Sequence, residues 1–199
     1  MKKKTYFITI LLALLFYTPA NADIVNGGFE TGDLTGWMCL DYAQCNVVTS
    51  YSSSYLTLAP QQSSYFSTVE PGGGLYQSRL EQSITLNAGD VISGYFALDG
   101  VAMHSGSVTV DDGVTTVVIA SQAHTNISWT YWSWTAPATN TYALAFAPFA
   151  ISGPLPWDPT YVVLFVDGVS VTSSSVPEPA SMLLLSLGLM GLAGVRRKF

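Results

Sequence analysis

Both ends of this chain are apolar runs fenced by cations, and they confine any globular fold to the stretch between them. Lys2-Lys3-Lys4 precedes an apolar run from Tyr6 to Tyr17. A second run, Ala180 to Val195, precedes Arg196-Arg197-Lys198-Phe199. Six of the seven Lys and Arg residues sit in these two segments, and Arg79 is the exception. Between Asp23 and Ser175 no window repeats its apolar residues at helical spacing. Short β-branched and aromatic runs alternate there with Gly, Asn, Asp and Pro turn signals, which predicts an all-β sandwich or barrel. About 154 residues suffice for one such domain and fall short of two.

The N-terminal segment has a basic region, an apolar region and an A-x-A site at Ala20-Asn21-Ala22. It reads as a signal peptide over residues 1–22, a signal helix handled by the Sec translocon and signal peptidase, with Asp23 the first mature residue. At the other end, Pro177-Glu178-Pro179 stops any helix from running upstream. The sixteen residues that follow rise about 24 Å as a helix, short of a bilayer core of about 30 Å. Snorkelling of Arg196, Arg197 and Lys198 covers the deficit. The cations at both ends stay cytoplasmic by the positive-inside rule, so the chain between them lies outside the inner membrane.

Taken in order, Pro177-Glu178-Pro179, the apolar run and the terminal cations resemble the PEP-CTERM sorting signal of bacterial surface proteins. The resemblance implies an exosortase that reads Pro177, Glu178 and Pro179, with Arg196 and Arg197 as the basic end. It implies a precursor held in the inner membrane by a single C-terminal transmembrane helix. Release or attachment follows at the cell surface or in the extracellular matrix of a Gram-negative-type bacterium, in company with exopolysaccharide. The organisation is then signal peptide 1–22, ectodomain 23–172, Ser-rich tether 173–176 and sorting segment 177–199.

Twelve carboxylates against Arg79 give the external part a charge near −11. Nucleic acid binding needs clustered Lys and Arg, so that class of partner is excluded. The carboxylates are free for hard cations such as calcium. Cys39 and Cys45, in an oxidising compartment, form a disulfide by default, with free thiols the alternative. Two thiolates with His104 as the nearest histidine make no zinc set.

Strands are expected at 46–50, 55–58, 75–86, 91–98, 107–110, 114–120, 129–135, 142–147 and 161–172, with Asp111-Asp112-Gly113 as a hairpin turn. Phe29 and Trp37 are expected to anchor the glycine-rich opening on the core. The opening Asn26-Gly27-Gly28-Phe29-Glu30 with Trp37, and the closing Val166-Asp167-Gly168-Val169-Ser170-Val171, look like the first and last strands of galactose-binding-like jelly rolls. Carbohydrate-binding modules share that opening. The resemblance implies a jelly-roll-like β-sandwich. It also implies one structural calcium held by Glu30 and Asp167, the alternative being a turn or bulge at Asp167-Gly168 with Glu30 solvated. Asp167 shares strand parity with Val169 and Val171, which points it toward the core side.

Alternation also divides Trp129, Tyr131, Trp132 and Trp134. Trp132 and Trp134 take one face and Trp129 and Tyr131 the other, so one pair belongs to the core and the other is open to stack on sugar rings. Trp132 and Trp134 are assigned as that ligand-binding pair, with Tyr51, Tyr55 and Tyr65 extending the surface. His104 and His124 have serines nearby, but no spaced catalytic motif is present, and the chain reads as a non-enzyme. The expected role is display at the surface with a glycan as ligand. The alternatives are a secreted polysaccharide hydrolase and a purely structural, self-associating matrix protein.

Overall fold

Twelve strands and no helix occupy the described part of a computed structural model, which covers residues 23–72, 78–100, 104–123, 126–150 and 162–174. The signal peptide and the sorting segment, with Pro177, Glu178, Pro179, Arg196 and Arg197, lie outside the described residues. Among the described residues no helix is long and apolar enough to cross a membrane. The strands are β1 (Met38–Leu40), β2 (Gln44–Val48), β3 (Tyr51–Ser52), β4 (Thr57–Leu58), β5 (Phe66–Glu70) and β6 (Arg79–Leu86). They continue as β7 (Val91–Gly100), β8 (His104–Asp111), β9 (Thr116–Ala123), β10 (Ile127–Thr135), β11 (Asn140–Ala150) and β12 (Val162–Thr172). Two five-stranded antiparallel sheets run β1-β6-β11-β8-β9 and β10-β7-β12-β5-β2, and β3 pairs with β4 as a separate ribbon. The expected all-β sandwich is the observed architecture.

Period-two alternation builds the core. In β6, Leu80, Ile84 and Leu86 are buried and Glu81, Ser83 and Thr85 point away from them. Leu144 and Phe146 of β11 join them against Ile92, Phe96 and Leu98 of β7 and Leu164 and Val166 of β12. Each such aliphatic or aromatic side chain stabilises by about 1.5–3 kcal/mol relative to exposure.

A second, smaller apolar cluster lies on the other side of the β7–β12–β5 sheet. Ala97, Val163, Phe165 and Phe66 alternate with the core residues of their strands, and Tyr51, Leu56, Leu58 and Trp129 cover them. The β3–β4 ribbon therefore roofs part of the outer face of this sheet and leaves the rest open.

The predicted disulfide is present between Cys39 and Cys45. It joins β1, an edge strand of one sheet, to β2, an edge strand of the other. Its role is therefore wider than closing a small loop: it fastens the two layers along one side. The Asp111-Asp112-Gly113 hairpin is also as expected. Asp111 accepts from Gly113 N, while Asp112 accepts from Val114 N and Thr115 N at 2.6–2.9 Å.

Candidate functional site

The opening loop is tied from within by one asparagine. Asn26 accepts Thr31 N on its Oδ1 at 3.3 Å and donates from Nδ2 to Asp33 O at 2.9 Å. Its carbonyl accepts Phe29 N and the indole N–H of Trp37, each at 3.1 Å. Phe29 adopts φ 56°, a conformation that costs a bulky residue strain. The offsetting term is complete burial of its ring, 5.5 Å from Trp37. The loop then lies on the last strand, where Val169 N donates to Gly27 O at 2.9 Å. A β-carbon at Gly27 would stand 1.9 Å from Val169 O, so only glycine fits this crossing.

That crossing brings Glu30 and Asp167 together over residues 61–65. Asp167 Oδ2 accepts Gln61 N at 2.7 Å and Gln62 N at 2.9 Å, and Oδ1 accepts Gly168 N at 2.6 Å. Glu30 Oε1 accepts Ser64 N and Tyr65 N, each at 3.1 Å. Burial pushes the Asp167 carboxyl above its ordinary range; the main-chain donors pull against that, and the charge of Glu30 adds to it.

The expected orientation of Asp167 needs correction. It pairs with Tyr95 on the outer side of the sheet, not with the core row, although it is fully buried. A bulge at Gly168 (φ 61°) inserts one residue between Asp167 and Ser170. Val169 and Val171 therefore fall on the opposite face from Asp167.

The two carboxylates supply the oxygen donors that a hard divalent ion takes, but Asp167 Oδ2 and Glu30 Oε1 each already accept two main-chain N–H groups, so an ion there would have to use the other oxygens. The only described cation, Arg79, is engaged by Asp41 and Glu81 on the other sheet. Among the described residues no group of three or more His, Cys, Asp and Glu gathers, so the remaining ligands would come from main-chain oxygens.

The tryptophans assigned to sugar stacking are on the core side. Trp132 is 3% exposed, lies 5.8 Å from Phe146, and belongs to the central core. Trp134 packs edge-on to Tyr142 at 5.1 Å. The reason is register: Trp132 stands opposite Gly94 and Trp134 opposite Ile92. The missing side chain of Gly94 makes room for the indole, since a β-carbon there would meet Trp132 Cζ2 at 3.0 Å.

The open face carries the other pair. Trp129 donates from its indole to Ala59 O at 2.8 Å and abuts Phe66 edge-on at 5.5 Å. Tyr131 is 57% exposed and is braced by Tyr95, 5.4 Å away and edge-on. Of the tyrosines expected to extend the surface, Tyr51 packs on Phe165 and donates to Asp99 Oδ2 at 2.8 Å, and Tyr65 is half-buried. Tyr55 is exposed on the link between β3 and β4.

Register sets Tyr95, Ser93, Ser133 and Ser170, to which the sequence reading assigns no role, beside Tyr131 and Asp167. Tyr131, Tyr95 and Asp167 form one row across β10, β7 and β12, and Ser133, Ser93 and Ser170 form the parallel row two residues along β10 and β7. Adjacent strands are about 4.8 Å apart, so an aromatic ledge and a shelf of hydroxyls run side by side over roughly 10 Å. His104 is buried on β8 of the other sheet, and His124 lies outside the described residues. The serines next to His104 in sequence, Ser105 and Ser107, point to the opposite face of β8.

Comparison with solved structures agrees with this architecture. A carbohydrate-binding module of family 61, solved in complex with β-1,4-galactotriose, is 17% identical, with a TM-score of 0.50, covering 76% of this chain and 98% of its own. The CBM22-1 xylan-binding domain of Paenibacillus barcinonensis Xyn10C is 14% identical, with a TM-score of 0.50 and coverage of 73% and 90%. The tandem CBM22-1–CBM22-2 domain of the same protein is 15% identical, with a TM-score of 0.51 and coverage of 82% and 50%. A search of curated proteins finds no match. Residues 175–198 match the family model of the PEP-CTERM protein-sorting motif. The β-sandwich is thus of the jelly-roll kind found in carbohydrate-binding modules, and it is followed by the sorting motif of an exported protein, held at the membrane until an exosortase processes it.

Proposed function

We propose that the exported domain binds a neutral glycan on the open face of the β10–β7–β12 sheet and is displayed with exopolysaccharide at the surface of a Gram-negative-type bacterium. The observation that carries this reading is the exposed ring of Tyr131, held edge-on by Tyr95 beside the Ser133–Ser93–Ser170 row. A fixed aromatic offers a flat apolar face to a sugar ring, and flanking hydroxyls both donate to and accept from its hydroxyl groups. The charge near −11 repels acidic polymers, which selects a neutral ligand. Glu30 and Asp167 would hold one calcium, which would fasten the opening loop, residues 61–65 and β12 at the border of this face.

The test is calorimetric titration of the exported domain with neutral oligosaccharides of β-linked galactose and xylose. Tyr131→Ala should weaken binding by about 10-fold or more while costing only the edge contact with Tyr95, about 0.5–1.5 kcal/mol of stability. Affinity should change little between low and high salt. Release of reducing ends in the same mixtures would replace this reading with a polysaccharide hydrolase. No binding to any glycan, together with self-association of the domain, would replace it with a structural matrix role.

A further inference from the structure

Asp90 is fully buried in a domain with almost no cations, and its partners explain how it stays ionised there. Oδ2 accepts Asn87 N at 2.8 Å, and Oδ1 accepts Ser174 N at 2.8 Å and the Ser174 hydroxyl at 3.3 Å. The Ser174 hydroxyl also lies 3.2 Å from Ala88 O. Around this carboxylate the β6–β7 turn is stitched to the β10–β11 turn. Gly89 N donates to Ala136 O, Ala136 N donates to Asp90 O, each at 2.8 Å, and Ala88 N donates to Thr139 Oγ1 at 3.1 Å. Gly89 has φ 89°, and a β-carbon on it would press on Ser174 at 3.2 Å. The turn is thus shaped, by its conformation and by its missing side chain, to receive the chain that leaves β12.

Ser174 is the residue immediately before the sorting motif at 175–198. Only Ser175 and Val176 separate it from Pro177, and two extended residues span about 7 Å at most. An enzyme that cuts a chain takes it in an extended form with folded structure cleared from either side of the bond. Two residues do not provide that clearance.

We infer that Asp90 is a positioning residue for the sorting reaction. By holding Ser174, it fixes the residue just ahead of the sorting motif at the Asn87–Asp90 end of the sandwich, and the exosortase processes the chain from the state in which this clamp has opened. The inference rests on the chain being an exosortase substrate. The equilibrium between held and released Ser174 then sets the rate at which precursor becomes product.

The test is pulse-chase of the full chain in a host that carries a matching exosortase, following loss of the C-terminal segment. Ser174→Pro removes the donor N–H beyond the last strand and leaves the core untouched; Asp90→Ala removes the acceptor. Each removes the Ser174 N–H bond to the Asp90 carboxylate along with weaker contacts, and should speed processing by roughly tenfold or more, the factor associated with losing at least one hydrogen bond to a charged group. A six-residue Gly/Ser spacer inserted after Ser174 should speed the unmodified protein similarly, and the two substitutions should add nothing once the spacer is present. That non-additivity separates a clamp from general loosening of the domain, which would add to the spacer. Processing of Ser174→Pro at the unmodified rate or slower, or a spacer without effect, overturns the inference. Glu178→Ala distinguishes the two levels. If it blocks processing while the clamp variants change nothing, only the clamp falls. If it is processed like the unmodified chain, the sorting reading falls with it.

Discussion

At position 94 a β-carbon would stand 3.0 Å from Trp132 and 3.2 Å from the main chain of Val169, and at position 168 the chain turns through φ 61°. These two glycines decide which side chains of the candidate face look outward. Gly94 draws Trp132 inward, which leaves Tyr131 for solvent, and Gly168 puts Asp167 out of step with Val169. Alternation along β10 correctly separated the two aromatic pairs, but nothing in the strand itself says which side faces the other sheet. That information is held by the opposing residues Gly94 and Ile92. Glu30 and Asp167 were legible as a pair because the loop and strand that carry them have recognisable glycine patterns. Asp90 was legible only as part of a turn, because its partner Ser174 is 84 residues away. Its acid behaviour is predictable. Burial acts to raise its pKa, but the donors from Asn87 and Ser174 outweigh that and hold the carboxyl below its ordinary range. A depressed folded-state pKa contributes stability that is fully present above the unfolded value near 3.9 and is lost as pH falls through the folded value. Asp167, with a raised pKa, has the opposite sign. Urea denaturation of Asp90→Asn should therefore show lower stability at pH 7 and a shallower loss between pH 4 and pH 2 than the unmodified domain. Parallel curves for the two proteins would contradict this.

Three strands escape the sequence reading, β1, the two-residue β3 and β5, and the two that belong to the main sheets, β1 and β5, do so for a physical reason. In Phe66-Ser67-Thr68-Val69 all four residues are buried, two of them polar, because the strand is paired on both sides and roofed by the β3–β4 ribbon. Alternation of apolar and polar residues disappears when both faces of a strand are covered. The three-residue β1 is too short to show any period, and it is fixed instead by pairing with Arg79, Leu80 and Glu81 and by the Cys39–Cys45 bridge. That bridge links the edges of two sheets that are otherwise held together by side-chain packing. In the chain-entropy view a ring of this size stabilises by about 2 kcal/mol. Replacing both cysteines by serine should lower the unfolding free energy by about that amount. Hydrogen exchange should quicken first in β1 and β2 and leave β7 and β12 at their original protection, because those central strands pair on both sides. Uniform acceleration across both sheets would mean that the bridge supports the whole sandwich and not its edge.

Across the whole molecule, charge sets a condition that packing does not relieve. A domain near −11 with one arginine repels itself, and ordinary salt should raise its melting temperature by screening alone. At the junction of the first loop, residues 61–65 and the last strand, the charge of Glu30 adds a small part to the burial that raises the Asp167 pKa. A divalent cation seated there would cancel that charge locally and tie together segments from both ends and the middle of the domain. Screening and site binding can be told apart. At constant ionic strength, calcium at 100 times its dissociation constant should stabilise the domain by about 2.7 kcal/mol if it binds only the folded state. Chelator should reverse the shift. Asp167→Asn should abolish the calcium response and keep the response to sodium chloride, because the rest of the acidic surface is unchanged. Equal responses to calcium in the unmodified and Asp167→Asn domains would leave screening as the whole effect. The two carboxylates would then serve only to hold residues 61–65 through their main-chain N–H groups.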